Sequence, residues 1–185
     1  MKLNMGCGYK KLSGFVNVDI SPECSPDVVV DLEETPWPWE SNSAHTVLFN
    51  HSLEHLGANH RVFEAMMKEL YRICRNGAEV QINVPHPRHD DFINDPTHVR
   101  PITPGVLTLF SKKMNQEWAR VGASNSPLAI YWGIDFEIRG VEFGLDDHYL
   151  SGFSSGQITV QQIEAMSRER NNVVKEIRIA MVAVK

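Results

Sequence analysis

The chain has 185 residues, 42% of them hydrophobic and 22% charged, which suits one compact domain spanning residues 1–185 and excludes disordered, collagen-like and disulfide-scaffold classes. Eighteen Lys and Arg against 23 Asp and Glu leave a net charge of −5, so no broad basic face for bulk nucleic acid or an anionic membrane is expected. Cys7, Cys24 and Cys74 form no CxxC pair, no apolar run has membrane length, and Met1-Lys2-Leu3-Asn4 enters a strand pattern directly; a soluble, reduced, cytoplasmic protein is the expectation.

Short apolar runs alternate with loops through the first half. Leu3-Asn4-Met5 stops at Gly6-Cys7-Gly8, Phe15 to Val18 stops at Asp19, and Val28 to Val30 stops at Asp31. Thr46 to Phe49 stops at Asn50-His51, and Glu79 to Val84 stops at Pro85. Such runs predict parallel strands covered on both faces. Between Asn59 and Arg75, Val62, Phe63, Met66, Met67, Leu70, Ile73 and Cys74 form one apolar helical stripe, with Asn76-Gly77 expected to end the helix in a left-handed turn. Thr103-Pro104 predicts an N-cap with proline at the first helical position, turning Val106, Leu107, Leu109 and Phe110 inward. Residues 115–134 have weak periodicity and predict a long loop or small lid. Phe136 to Leu145 reads as a long strand broken near Gly140, a helix covers about Thr159 to Arg170, and Val173 to Val184 is a final strand.

The chemistry concentrates at the strand ends. Gly6-Cys7-Gly8 directly after a first strand is a nucleotide-type turn, because glycine permits tight geometry and close approach of backbone N–H groups to a ligand. A dinucleotide fingerprint also needs a third glycine, where Lys11 stands, and an acid about 20 residues on, whereas Asp19 follows Gly8 closely. A nicotinamide cofactor is therefore disfavoured. Asp19 and the following Ile20 end the second strand, where a carboxylate suits ribose hydroxyls and otherwise serves as a turn cap. Asp31-Leu32-Glu33 suits an adenine edge, and Asn50-His51-Ser52 ends the fourth strand. Ligands of open α/β sheets bind at the carboxyl ends of strands, so these points converge on one crevice.

These residues carry a resemblance. Leu3 to Gly8 resembles the glycine motif of class I S-adenosylmethionine-dependent methyltransferases of the small-molecule, type 11-like group, and Val16-Asn17-Val18-Asp19 resembles their ribose-binding strand. Asp31-Leu32-Glu33 with Pro36-Trp37-Pro38 is similar to the adenine-side segment. Ser43-Ala44-His45-Thr46-Val47 stands where the family has Ser-Phe-Asp-x-Val. Leu53-Glu54-His55-Leu56, and Tyr71-Arg72-Ile73 through Ala78, resemble two further motifs. The resemblance covers residues 2 to about 85 well and the remainder in outline. It implies a Rossmann-like α/β fold, a mostly parallel seven-stranded sheet in the order 3-2-1-4-5-7-6 with its last strand antiparallel. It implies S-adenosyl-L-methionine as cofactor, held by Gly6, Cys7, Gly8, Asp19, Ile20, Asp31, Leu32, Glu33, Asn50 and His51. Methyl transfer to a small or medium-sized acceptor follows; a non-catalytic binding module or a subunit of a larger assembly is the alternative, and an aminopropyltransferase is a weaker rival. A homo-oligomer stays open.

The chain also departs from the pattern. Lys10 replaces a family glycine, and residues 9–14 leave room for only about one turn of the usual first helix. Lys10 or Lys11 is a candidate cation for a methionine carboxylate, or a plain surface lysine. Trp37 and Trp39 read as loop anchors in preference to a stacking pair, His55 as a loop-fixing residue in preference to a ligand contact, and Cys7 as a small packed residue. The densest polar stretch is His86 to His98, with three of the eight histidines and three carboxylates. It reads first as an acceptor-site loop, with a structural loop as second reading. Its spacing matches no standard metal site, and no metal is assigned. Within it, His98 is the candidate general base, Asp95 its orienting acid and His86 the next candidate.

Overall fold

The computed structural model describes residues 1–185. Seven strands form one sheet: β1 (Lys2–Met5), β2 (Val16–Asp19), β3 (Val28–Val29), β4 (Ala44–Asn50), β5 (Cys74–Pro85), β6 (Phe136–Leu145) and β7 (Val174–Ala183). Their order is β3-β2-β1-β4-β5-β7-β6, the order that the family resemblance implies. The pairs β2–β3, β1–β2, β1–β4 and β4–β5 are parallel, and β7 runs antiparallel between β5 and β6. The break expected near Gly140 is a register shift between Ile138 and Gly140.

Strand alternation builds the core. Leu3, Val47, Val80 and Met181 form one cross-strand row, and Met5, Phe49, Ile82 and Ile179 form the next. All eight are at most 2% exposed. Helix α1 (His60–Ile73) lays Phe63, Met66, Met67, Leu70 and Ile73 onto this face, and each such fully buried side chain contributes roughly 1.5–3 kcal/mol. Asn59 caps α1 by accepting from the Arg61 amide.

Coverage of both faces does not hold. On β5 and β7 the intervening residues Glu79, Gln81 and Arg178 are exposed, so the second face is open there. The connection between β1 and β2 explains part of this, because it contains no helix. A buried polar network ties it down instead. Asn4 Nδ2 donates to Asn17 Oδ1 and to the Lys10 carbonyl, the Leu12 amide donates to Asn17 Oδ1, and Asn17 Nδ2 donates to Asp27 Oδ2. Hydrogen bonds from Asn17 hold the Asp27 carboxyl below the usual carboxylate range.

Two further expectations are corrected. Helix α1 ends at Cys74 in extended backbone and runs straight into β5; Gly77, with φ +74°, lies inside that strand within a register irregularity. Residues 115–134 are not a loop. After the short helices α2 (Asp90–Ile93) and α3 (Pro104–Thr108), the segment contains most of α4 (Lys112–Val121) and all of α5 (Leu128–Trp132). The residue that organises it is polar. Buried Asn115 donates to the Leu109 carbonyl and accepts from the Ala129 amide, stitching α4 to the start of α5. Helix α3 begins at the Thr103 cap as expected, with Leu107 and then Phe110 buried. Helices α6 (Asp147–Ser154) and α7 (Val160–Glu169) lie between β6 and β7 in the chain.

Candidate functional site

The carboxyl ends of β1, β2, β3 and β4 enclose a crevice of about 550 Å³, within the range of small-molecule sites. It is lined by Gly6, Gly8, Asp19, Ile20, Asp31, Leu32, Glu33 and His51 from the expected set, together with Val30, Ser52, His55 and Leu56. Gly6 adopts φ +67°, and its Cα hydrogen faces the end of β4: a Cβ there would lie 2.5 Å from Ser52 Cβ. Ser52 Oγ donates to the Met5 carbonyl, locking the two strand ends together.

Asp19 has a second task that its position at a strand end did not suggest. One carboxylate oxygen accepts from the Gly8 amide at 2.7 Å and the other from the Ser21 amide at 2.9 Å. It therefore clamps the glycine turn to β2 while facing the crevice. Across the crevice Glu33 Oε1 accepts from the Gly57 amide at 2.6 Å, and Asp31 accepts from the Glu33 amide. The wall thus carries three carboxylates, apolar patches from Ile20, Val30, Leu32 and Leu56, and no lysine or arginine.

Cys7 and Asn50 are not brought in with the others. Their side chains line a separate cavity of about 190 Å³ with Asn4, Lys10, Leu12 and Leu48. The Cys7 thiol is raised above its ordinary range, chiefly by burial, as fits a packed residue. Neither lysine reaches the crevice: Lys10 is at the separate cavity, and Lys11 Nζ donates to the Ser25 carbonyl. Trp37 and Trp39 are buried loop anchors packed edge to face, with the Trp37 indole donating to the Leu32 carbonyl. Arg72 holds the same loop through the Trp37 and Trp39 carbonyls.

The polar stretch 86–98, dense in sequence, disperses in space. His86 lines a different, mostly apolar cavity of about 410 Å³ with Phe143, Leu145, Phe153 and Ile163. His89 bonds Asp146, the N-cap of α6, and Arg88 donates to the Ser167 and Arg168 carbonyls at the end of α7. This part of the loop fastens α6 and α7 to the sheet. His98 has a side chain only 8% exposed; its Nδ1 meets the Phe92 carbonyl at 2.9 Å and its ring stacks on Phe92. Asp95 does not orient it. The nearer Asp95 oxygen is 3.8 Å from His98 Nε2, beyond hydrogen-bonding reach, and the other oxygen accepts from Thr97. His55, not His98, lines the crevice, and the two rings meet edge to face at 4.6 Å.

The His86 environment has a measurable consequence. Burial, and secondarily the Arg88 charge, lowers its pKa below the ordinary imidazole range. A depressed folded-state value means that the unfolded chain binds the proton more readily. Its stabilising contribution is then complete above about pH 6.5 and is lost as pH falls through the folded value. Burial also lowers the pKa of His45, so the slope is shared between the two histidines. His86→Gln is expected to flatten, without abolishing, the fall in unfolding free energy between about pH 7 and pH 5; urea titrations across that window check it. An unchanged slope excludes His86 as a source.

No protein-family model matches this chain, and no curated protein sequence matches it. Solved structures do. A SAM-dependent methyltransferase from Archaeoglobus fulgidus superposes with TM-score 0.63 at 19% identity, covering 100% of this chain and 85% of that one. A SAM-dependent methyltransferase from Methanosarcina mazei gives 0.56 at 14% identity, covering 100% and 92%. A chain from the complex of the Haloferax volcanii Trm112 methyltransferase activator with its methyltransferase gives 0.57 at 11%, covering 100% and 82%. The fold is thus the Rossmann-like fold of class I S-adenosylmethionine-dependent methyltransferases.

Proposed function

We propose that the crevice binds S-adenosylmethionine and that the protein transfers its methyl group to a small or medium-sized acceptor. One observation carries the reading: three carboxylates and no lysine or arginine line a crevice at the strand ends of a methyltransferase fold. A cationic sulfonium is favoured by that field, whereas the pyrophosphate of a dinucleotide is repelled by it. Gly8 fits the ligand as well, because a Cβ there would meet nothing within 4 Å and the space beyond the turn is free. Spare acceptor capacity supports Asp19 as the ribose ligand, since a carboxylate has about four acceptor sites and only two are taken by backbone amides. Ile20, Val30, Leu32 and Leu56 supply apolar surface for a flat base.

When bound, the cofactor supplies a sulfonium methyl that an acceptor lone pair attacks in line, the carbon–sulfur pair returning to sulfur. The protein's share is to align the acceptor and exclude water, and to receive a proton where the acceptor is a hydroxyl or ammonium. Of the histidines, His51 and His55 line the crevice, whereas His98 and His86 do not. A binding module that completes another chain's site is the second reading, favoured by the helix-free β1–β2 connection and the open sheet face.

Calorimetry with S-adenosylmethionine, S-adenosylhomocysteine and NAD tests the reading. Saturable binding of the first two is expected, with no NAD binding, and at a hundredfold excess over Kd the folded state gains about 2.7 kcal/mol. NAD binding without sulfonium-nucleotide binding overturns the proposal. Binding without turnover across an acceptor library selects the second reading.

A further inference from the structure

We propose that Glu54, His55 and His98 form a binding site for a divalent transition-metal ion at the wall of the crevice. Glu54 and His55 belong to the 3-10 turn Leu53–His55 that follows β4, and His98 arrives from the far end of the polar loop. The loop is bolted to that turn, because the Val99 and Arg100 amides both donate to the Glu54 carbonyl. One ligand atom from each of the three side chains lies within 4.8 Å of the others.

Glu54 is the observation that asks for a cation. It is 1% exposed, and neither carboxylate oxygen has a hydrogen-bond partner. A carboxylate buried without donors is unfavourable unless a positive group or a proton meets it. The buried guanidinium nearby does not: Arg100 lies over the Phe63 ring at 4.1 Å and donates to the Gly57 carbonyl.

The imidazoles are already set as ligands. Thr97 Oγ1 spends its only hydrogen on Asp95 Oδ1 at 2.6 Å, so at 2.9 Å it must accept from His55 Nδ1–H. His98 Nδ1 must likewise donate, because its partner is the Phe92 carbonyl. Both rings therefore carry their lone pair on Nε2. A metal-binding histidine typically donates its other N–H to a carbonyl or a carboxylate-linked group, which fixes the tautomer. A third imidazole flanks the group. His51, held at φ +52°, places Nε2 2.7 Å from Glu176, and its Nδ1 points at Glu54 Oε1 from 3.7 Å. With Nε2–H donated to Glu176, Nδ1 keeps a lone pair within 3.7 Å of Glu54 Oε1, so a cation could be shared between the two.

One carboxylate with two or three imidazoles suits zinc and its first-row neighbours, whereas magnesium and calcium prefer all-oxygen sites. His55 also lines the crevice, so the group opens on that space.

The test uses the full chain stripped with a chelator and titrated with Zn2+ by calorimetry, with Co2+ visible spectra reporting the donor set. A single ion per chain that survives desalting and raises Tm is expected. Thr97→Val, which removes the acceptor for His55, should weaken binding by about 10–100-fold, and Glu54→Gln by more. Asp91→Asn, beside His89, should leave binding unchanged. Where Glu54→Gln fails to fold, His55→Ala takes its place. No uptake of zinc or cobalt by the folded, stripped chain overturns the site, as does equal uptake by wild type, Glu54→Gln and His55→Ala. S-adenosylhomocysteine titrated into the same stripped chain tests the methyl-transfer reading independently.

Discussion

Replacing Gly6 by alanine is expected to destabilise the protein by about 2–5 kcal/mol and to abolish ligand binding in the crevice. Two costs add. A Cβ-bearing residue at φ +67° sits in the left-handed region, which costs about 1–2 kcal/mol. The new carbon would also lie 2.5 Å from Ser52 Cβ and 3.9 Å from its Cα, so the ends of β1 and β4 must part, an overpacking cost of about 1–3 kcal/mol. Against a typical domain stability of about 5–15 kcal/mol, the sum is a large share. Urea unfolding and calorimetry on the same preparation check it. Gly8→Ala separates the two costs, because its φ is +50° but nothing lies within 4 Å of an added Cβ. It should keep most of the stability and still lose affinity, as its methyl would enter the crevice. If Gly6→Ala and Gly8→Ala destabilise equally, the approach of Ser52 is not what requires glycine at residue 6.

The legible and illegible parts of the sequence divide along one physical line. The strand positions, the Thr103 cap and α1 follow from apolar periodicity and from residues whose conformational preference is local, the strand order follows from the family resemblance, and the structure shows them. What escaped depends on polar groups that bury themselves. Asn115 sits inside α4 where an apolar stripe would mark a helix, so residues 115–134 carry the pattern of a loop. Asn4 and Asn17 replace a helix with a side-chain network, leaving the shortened connection visible but not its means of support. Gly77 looked like a helix stop, yet α1 passes directly into β5 and the glycine serves the strand irregularity. The polar loop misled in another way. Its density in sequence suggested one site, whereas His86, His89 and His98 point to a second cavity, the α6 cap and Glu54 in turn. In the sequence His55 reads as a loop-fixing residue because a Glu-His pair alone carries no direction; only the fold shows that it lines the crevice.

Asp19→Ala is expected to weaken S-adenosylmethionine binding by about 1.5–3 kcal/mol, the scale of hydrogen bonds lost to a charged group. Strand-end position alone suggests a carboxylate with little role in the fold. The structure gives it one, because its oxygens hold the Gly8 and Ser21 amides. The alanine variant should therefore also lose about 1–2 kcal/mol of stability, discounted from the full value because Asp19 is partly exposed and water can replace it. Asp19→Asn separates the roles. Its single carbonyl oxygen can keep one amide clamp, but its NH2 group opposes the other amide and removes the charge that suits a sulfonium nucleotide. Its stability should fall less than that of the alanine variant, while its affinity falls nearly as far. Calorimetry and urea unfolding on both variants decide between outcomes. Affinity losses that merely track stability losses would reduce Asp19 to a clamp on the glycine turn, and the ribose contact would then belong to Asp31 or Glu33, the other carboxylates of the crevice wall.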